Sequence, residues 1–240
     1  MKKNWKKALS IVTVSAALIV SGTFFANQYM DGEGGGATIG SAEEVELSYY
    51  EKKTRSASLR VVTPTGGHGS GTLVKYKGSN LILTAAHVTQ QGSIYLAIDQ
   101  WGEQNFATLI YKDETADFAV LIVNDFEKTK PLKFKIPSYD IRDAIDLEVI
   151  FSGFPARHDL LTMRGTVAGY QGSSVIIHSS AWGGSSGSGV FDSSGSFVGI
   201  LYAVSIGNGL QGPAIMENFI WIMPFDKINW EELDSVVESL

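Results

Sequence analysis

Residues 183–190 read Gly-Gly-Ser-Ser-Gly-Ser-Gly-Val, a stretch with four glycines and three serines that runs directly into the apolar residue Phe191. We refer to residues 183–190 as the Gly-Ser turn. Two interpretations fit its composition. One is a flexible Gly/Ser loop, the usual meaning of such a sequence. The other is a nucleophile turn, in which glycine permits backbone angles that bring amide N–H groups and a serine hydroxyl toward one point.

Short apolar segments alternate with turn signals from Ser56 onward, in two series of six that are separated by a polar segment at 128–139. Because no helical pattern intervenes, the segments are predicted to be strands, and two series of six favour an all-β fold of two packed six-stranded barrels. The first series covers residues 59–62, 71–76, 81–85, 93–98, 106–111 and 118–123. The second covers residues 147–151, 160–167, 174–178, 189–191, 197–204 and 214–223.

The end of the chain predicts one helix. Asn229 followed by Glu232 has the pattern of a capping box, which satisfies the free N–H groups at the start of a helix. After it, four apolar residues recur at helical spacing, which places them on one face: Trp230, Leu233, Val237 and Leu240. We therefore expect a C-terminal helix packed on the barrels.

The beginning of the chain has the pattern of an export segment. Four lysines among residues 1–7 are followed by a charge-free run over 8–26, so residues 1–26 are predicted to be a signal peptide or a signal anchor. Both remain open, because the run is about long enough to span a bilayer and Phe24 stands where cleavage favours a small residue. The body is expected to be exported, as a periplasmic, extracellular or outward-facing membrane-anchored domain. Residues 27–55 are predicted to be a linker, of which 45–55 also suits packing on the domain at 56–240.

The composition excludes several classes of function. The chain has 240 residues, of which 44% are hydrophobic and 18% charged, as in an ordered globular protein. Outside residues 1–26 the balance is 15 basic against 25 acidic residues, since four of the 19 basic residues lie in that segment. An acidic body does not suit nucleic acid, and contact with a membrane is expected only through residues 1–26. There is no cysteine, and the four histidines are scattered, so we expect no metal site.

Two further residues have positions that suit chemistry. His87 comes just after the apolar segment 81–85 and next to the small residues Ala85 and Ala86, and Asp117 immediately precedes the segment 118–123. Considered alone, a histidine in the position of His87 is more often structural, and an aspartate in the position of Asp117 is more often a turn residue. Together with a serine of the Gly-Ser turn, however, they supply the base, its orienting carboxylate and the nucleophile that serine catalysis requires. Their order along the chain, His then Asp then Ser, differs from that of α/β-hydrolases and of subtilisin-like enzymes.

These residues lie in recognisable motifs. Residues 84–87 read Thr-Ala-Ala-His, residues 117–121 read Asp-Phe-Ala-Val-Leu, residues 184–188 read Gly-Ser-Ser-Gly-Ser and residues 69–73 read Gly-Ser-Gly-Thr-Leu. In them the chain resembles the chymotrypsin-like (trypsin-fold) serine peptidases, especially bacterial HtrA-type proteases and glutamyl endopeptidases. The resemblance extends from Ser56 to the C-terminal helix. It implies the two-barrel trypsin-like fold, and we expect no PDZ domain.

The resemblance also implies roles. Ser186 would be the nucleophile, His87 the general base and then acid, and Asp117 the residue that orients His87. The backbone N–H groups of Gly184 and Ser186 would form the oxyanion hole. Ser188, in a second Gly-Ser-Gly sequence, is the rival nucleophile, but only Ser186 has both the family's serine position and a glycine two residues before it.

The resemblance also implies, in less detail, which residues contact the substrate. Ser185 departs from the Asp or Asn of the family, so activation through capture of a new amino terminus is not expected. The strand after the Gly-Ser turn lines the family's primary specificity pocket, which here implies substrate contacts from Leu201, Tyr202 and Ala203. None of these is charged, and the upstream Ser179 and Ser180 add only small polar groups. We therefore predict a neutral or apolar residue before the cleaved bond.

The function favoured by these patterns is a serine endopeptidase that cleaves protein or peptide substrates through an acyl-enzyme intermediate, without a cofactor. One alternative is a catalytically inactive trypsin-fold binding module at the cell surface. A second is an esterase, which would use the same three residues. Labelling of the serine separates the first alternative, and substrate assays separate the second.

Overall fold

The structure is a computed structural model that describes residues 47–156, 158–209 and 212–240. The predicted export segment, residues 1–26, and residues 27–46 of the predicted linker lie outside this part. Within the three described ranges, no helix combines the length and the apolar character needed to cross a membrane.

The first barrel contains six antiparallel strands. They are β1 (Ser58–Val62), β2 (His68–Tyr76), β3 (Ser79–Thr84), β4 (Ile94–Ile98), β5 (Gln104–Asp113) and β6 (Phe118–Val123). Their order around the barrel is β1-β4-β5-β6-β3-β2, and pairing of β1 with β2 closes it. A short strand that the sequence did not predict, β7 (Leu132–Lys133), runs parallel to β2.

The second barrel also contains six strands. They are β8 (Glu148–Gly153), β9 (Leu161–Gln171), β10 (Ser174–His178), β11 (Gly189–Asp192), β12 (Phe197–Gly209) and β13 (Gly212–Pro224). They close in the order β10-β13-β12-β11-β8-β9 through pairing of β9 with β10. The prediction of two six-stranded barrels is therefore confirmed.

The cores explain why the strands form. Side chains alternate across each strand, and those that point inward are apolar and buried, such as Leu73 and Val120 in the first barrel. Burial of such side chains is the main favourable term in folding. The first core continues into the second barrel through Phe197 and Ile200, so the two barrels share packed side chains.

Helix α2 (Trp230–Glu238) follows a 3-10 turn at Phe225–Lys227 and packs on the first core. The Asn229 side chain accepts a hydrogen bond from the Glu232 N–H at 3.2 Å, as the capping pattern predicts. Leu233 is fully buried. Leu240, predicted on the same face, is 62% exposed because the helix ends two residues before it.

Helix α1 (Tyr49–Ser56) precedes β1 and packs on β8 and β9. It occupies the region for which the sequence left packing open. The Ser48 hydroxyl accepts from the Glu51 N–H at 3.3 Å, and the Glu51 carboxylate accepts from the Ser48 N–H at 2.7 Å. The same carboxylate accepts two hydrogen bonds from the Arg164 guanidinium on β9, which ties the helix to the second barrel.

Candidate active site

His87 lies at the end of a strand of the first barrel. Strand β3 ends at Thr84, and residues Ala86–Thr89 form a 3-10 helix that holds His87. Ala85 and Ala86 are buried, so this segment packs closely against the barrel. The His87 side chain is 33% exposed and therefore accessible, although its backbone is held by this packing.

Asp117 reaches His87 from the turn between β5 and β6. Its backbone has a φ of +43°, a left-handed conformation that residues other than glycine seldom adopt. The His87 ring nitrogen Nδ1 lies 2.7 Å from Asp117 Oδ2, and the His87 backbone N–H donates to Oδ1 at 2.9 Å. The carboxylate thus holds both the ring and the backbone of the histidine. This contact favours the tautomer in which Nδ1 carries the proton and donates to Asp117, which leaves Nε2 of the neutral ring as the proton acceptor.

The Gly-Ser turn connects β10 to β11 and is an ordered turn rather than a flexible linker. Gly184 and Gly187 have φ values of +96° and +89°, which explains the need for glycine at both. A Cβ atom on Gly187 would lie 2.1 Å from the Ser70 carbonyl oxygen. The turn is also bonded to β12, since the Gly187 N–H donates to the Leu201 carbonyl at 2.8 Å.

Most N–H groups of the turn are used internally. Those of residues 185, 187, 188 and 189 donate to acceptors at Trp182, Leu201, Ser185 and Thr72, respectively. The N–H groups of Gly184 and Ser186 have no acceptor among the described residues. The Gly183 N–H likewise has no acceptor among the described residues, and Gly184 and Ser186 are the two residues that the family resemblance implies for the oxyanion hole.

The serines of the turn differ in accessibility. Ser188 is fully buried, and its hydroxyl has no hydrogen-bond partner within the described residues. Ser185 is also fully buried, and its hydroxyl accepts from the Trp182 N–H at 3.4 Å. Ser186 is half-buried. Of the three, Ser186 is therefore the one whose side chain solvent reaches.

The turn is supported by residues whose contacts the sequence did not reveal. The buried hydroxyl of Ser70 donates to the Gly184 carbonyl at 2.7 Å and accepts from the Phe154 N–H at 2.8 Å. The Ala156 N–H donates to the Gly183 carbonyl at 2.5 Å. Because C=O and N–H point in opposite directions across a trans peptide, this contact turns the Gly184 N–H away from Ala156. The motif at residues 69–73 draws attention to Ser70, but it does not predict these hydrogen bonds.

His68 lies beside Gly184. Its Nε2 is 3.0 Å from the Phe154 carbonyl oxygen and would lie 2.8 Å from a Cβ on Gly184. Burial lowers the pKa of His68 below its usual value, so the neutral form is favoured. His158 and His178 are exposed, and no group of three or more ligand-type side chains that could hold a metal occurs in the part of the chain described.

The three residues predicted to contact substrate have different environments. The Leu201 side chain is buried in the second core, and its backbone holds the Gly-Ser turn instead. Tyr202 is half-buried, lies at a bulge of β12, and its hydroxyl is 2.6 Å from that of Ser174. Ala203 is half-buried beside it. A contribution of Leu201 to substrate binding would therefore come from its backbone.

A cleft adjoins the chain segment that leads into the turn. Ser180 donates to the Asn218 side chain at 3.2 Å, and buried Ser179 donates to the Arg164 carbonyl at 2.8 Å. The lining residues are Met163, Arg164, His178, Ser179, Ser180 and Asn218. The charge of Arg164 was not foreseen, but it is paired with Glu51. The preference for a neutral or apolar residue before the cleaved bond stays a prediction.

Comparisons with solved structures agree with the two-barrel fold. The chain aligns with a serine endoprotease from Yersinia pestis at a TM-score of 0.58 and 20% identity, over 82% of this chain and 67% of the other. It aligns with the inactive form of Rv3671c from Mycobacterium tuberculosis H37Rv at a TM-score of 0.61 and 13% identity, over 79% of this chain and 91% of the other. At such identities the likeness shows the fold alone. No protein among the curated sequences matches the chain.

The family comparison goes further, because it rests on the sequence itself. The sequence model described as "Trypsin-like peptidase domain" matches residues 69–200, more than half of the chain. This range contains the three residues predicted to be catalytic. The protein belongs to the family of trypsin-like peptidase domains.

Proposed function

We propose that the protein is a serine endopeptidase that uses Ser186, His87 and Asp117 to cleave peptide bonds in protein or peptide substrates. The observation that carries this proposal is the double contact between His87 and Asp117, at 2.7 Å to the ring and 2.9 Å to the backbone. A carboxylate in this position fixes the tautomer of the imidazole and stabilises its protonated form. Nε2 of His87 is then the nitrogen that accepts a proton.

The proposed reaction has two halves. In the first, Ser186 Oγ attacks the substrate carbonyl carbon while its proton passes to Nε2 of His87. The C–N bond then breaks, and the protonated imidazole gives that proton to the departing amine. In the second half, water attacks the acyl-enzyme and gives a proton to His87, which returns it to Ser186 Oγ as the acid is released.

The negative charge that develops on the carbonyl oxygen requires donors. The N–H groups of Gly184 and Ser186 are suited to stabilising this charge, because neither donates to an acceptor in the described ranges. Loss of one such donor typically reduces turnover by about 100- to 1,000-fold. The acyl-enzyme route needs no metal ion or organic cofactor.

Labelling with a fluorophosphonate probe tests the proposal, because the probe reacts with an activated serine. We expect covalent labelling at Ser186, located by peptide mapping. Ser186→Ala should abolish labelling, whereas Ser188→Ala, the matched control two residues away, should retain it. Failure of the folded wild-type protein to label would favour the inactive binding module, and hydrolysis of esters without hydrolysis of peptides would favour the esterase.

A further inference from the structure

Arg60 lies close to the proposed oxyanion turn, although it belongs to the first barrel. On β1 it is directly opposite Ser70 of β2, and directly opposed residues of antiparallel strands project to the same face. Its guanidinium carbon lies 5.0 Å from the centroid of the Phe154 ring, which is a cation–π contact. Its Nη2 donates to the backbone carbonyl of His158 at 3.0 Å.

Phe154 connects Arg60 to the reacting centre. Its carbonyl oxygen would lie 2.6 Å from a Cβ on Gly184, so the backbones of the two residues are in contact. Its N–H is held by the same Ser70 hydroxyl that binds the Gly184 carbonyl. Arg60 is therefore separated from the proposed oxyanion donor by a single residue, and that residue is held in place.

The direction of a bound peptide follows from what flanks the Gly-Ser turn. On one side β12 is bonded to the turn through Leu201, and this strand is proposed to contact the part of the substrate before the cleaved bond. β2 and Phe154 lie on the other side of the turn. There, the Ser70 N–H of β2 donates to the Ser186 carbonyl at 2.7 Å. A peptide that crosses the turn from β12 reaches the Phe154 side with the residues that follow the cleaved bond.

The charge of Arg60 is not neutralised. No carboxylate within the described ranges pairs with it, and its Nε is buried without a hydrogen-bond partner. By contrast, Arg164 is paired with Glu51, and Lys112 with Glu114. His68, on the same side of the turn, has a pKa lowered first by burial and further by Arg60. Arg60 therefore supplies the positive charge there at neutral pH.

We propose that Arg60 is a specificity-determining residue that binds the carboxylate of an Asp or Glu side chain among the first residues after the cleaved bond. The guanidinium suits this role, because its planar N–H groups match a carboxylate and its stacking on Phe154 restricts its motion. The inference rests on the proposed peptidase function and names the substrate class of that site.

Cleavage of a randomised peptide library tests the inference, with the new amino termini identified by mass spectrometry. We expect Asp and Glu to be enriched about fivefold over Lys and Arg within about the first three residues after the bond, the factor expected of one partly exposed charge pair. Arg60→Gln should remove the enrichment, and Arg60→Lys, which keeps the charge but lacks the planar guanidinium, should retain only part of it. Lys53→Gln, which also removes a cation that lies over an aromatic ring, should leave it unchanged.

Two measurements on the wild-type protein make the result independent of variant folding. Raising the salt concentration from about 0.05 M to about 1 M should reduce the enrichment, because salt screens charge pairs that are not buried. A fluorophosphonate probe, which has no residues after the reacting atom, reports the proposed function separately. Labelling without acidic enrichment, or enrichment that survives Arg60→Gln, would overturn this inference alone. Absence of both labelling and cleavage would overturn the proposed function together with it.

Discussion

Ser70 is the residue at which the two barrels and the Gly-Ser turn are joined. Its hydroxyl links the Phe154 N–H to the Gly184 carbonyl, and its own N–H donates to the Ser186 carbonyl at 2.7 Å. Its carbonyl accepts from the Thr84 hydroxyl at 2.7 Å. Because Ser70 is fully buried, water does not take the place of a lost bond. One small side chain thus sets the position of the proposed oxyanion donors.

We predict that Ser70→Ala lowers kcat by about 10- to 100-fold with little change in KM, because the freed Gly184 carbonyl lets the oxyanion donors move out of alignment. The two unpaired backbone groups should also reduce the free energy of unfolding by about 1–3 kcal/mol. Steady-state kinetics on a peptide substrate and denaturant unfolding measure the two effects separately.

Ser196→Ala is the matched control for this change. Ser196 is 2% exposed, and its hydroxyl bonds to that of Ser194 at 2.9 Å in a turn away from the site. This variant should lose stability while it keeps wild-type kcat. If Ser70→Ala also keeps wild-type kcat, then Ser70 has no positioning role.

At the residue scale, sequence motifs indicate the candidate site residues better than they indicate the residues that hold them in position. His87 and Asp117 were singled out by their own motifs, and the structure places them in contact. The role of Ser70 could not be predicted in the same way, because its hydroxyl joins residues that are 84 and 114 positions away. Such contacts depend on how the barrels dock, which no local pattern records.

At the scale of elements, the twelve barrel strands were predictable, whereas β7 and helix α1 were not. Each barrel strand overlaps a short apolar segment of the sequence, and for 118–123 and 174–178 even the predicted bounds agree with the structure. The eight residues of α1, YYEKKTRS, lack an apolar stripe. The helix forms instead because of its capping box and its ion pair with β9, and the partner in that pair is 113 residues away.

The ion pair of α1 should therefore govern the attachment of this helix. The Glu51 side chain is 2% exposed, and its hydrogen bonds from Arg164 lower its pKa to about 2. We predict that Glu51→Gln lowers the melting temperature by about 5 °C at neutral pH, because a neutral amide replaces the carboxylate that accepts two charge-assisted hydrogen bonds from Arg164. Glu114→Gln, which removes an ion pair whose carboxylate is 80% exposed, should change it little.

The same pair predicts a dependence on pH. A carboxylate with a lower pKa in the folded state binds fewer protons there than in the unfolded state, so its contribution is present above its ordinary value and is lost as the pH falls. The stability difference between wild type and Glu51→Gln should be constant above about pH 5 and should shrink as the pH falls from 4.5 toward about 2. Denaturant titrations at several pH values measure this difference. A difference independent of pH would show that the pair does not hold the helix.

At the scale of the whole molecule, the proposed site belongs to neither barrel alone. His87 and Asp117 come from the first barrel, and Ser186 comes from the connection between two strands of the second. The number of strands allowed two barrels to be predicted, but not the surface through which they meet. That surface includes packed side chains from both, such as Phe197 in the core of the first.

Gly69 lies where the parts of the site meet, and its replacement tests whether their relative position limits the reaction. A Cβ there would lie 2.5 Å from Val88 Cγ2, next to His87, and 2.9 Å from the Ser186 carbonyl oxygen. We predict that Gly69→Ala reduces kcat/KM by about 100-fold, because displacements near 1 Å between reacting groups have effects of that order. The overpacking should lower stability by only about 1–3 kcal/mol, leaving the protein folded. Gly169→Ala, whose Cβ would have no neighbour within 4 Å, serves as the control. A folded Gly69→Ala protein with the kcat/KM of the control would mean that the site tolerates movement of one barrel against the other.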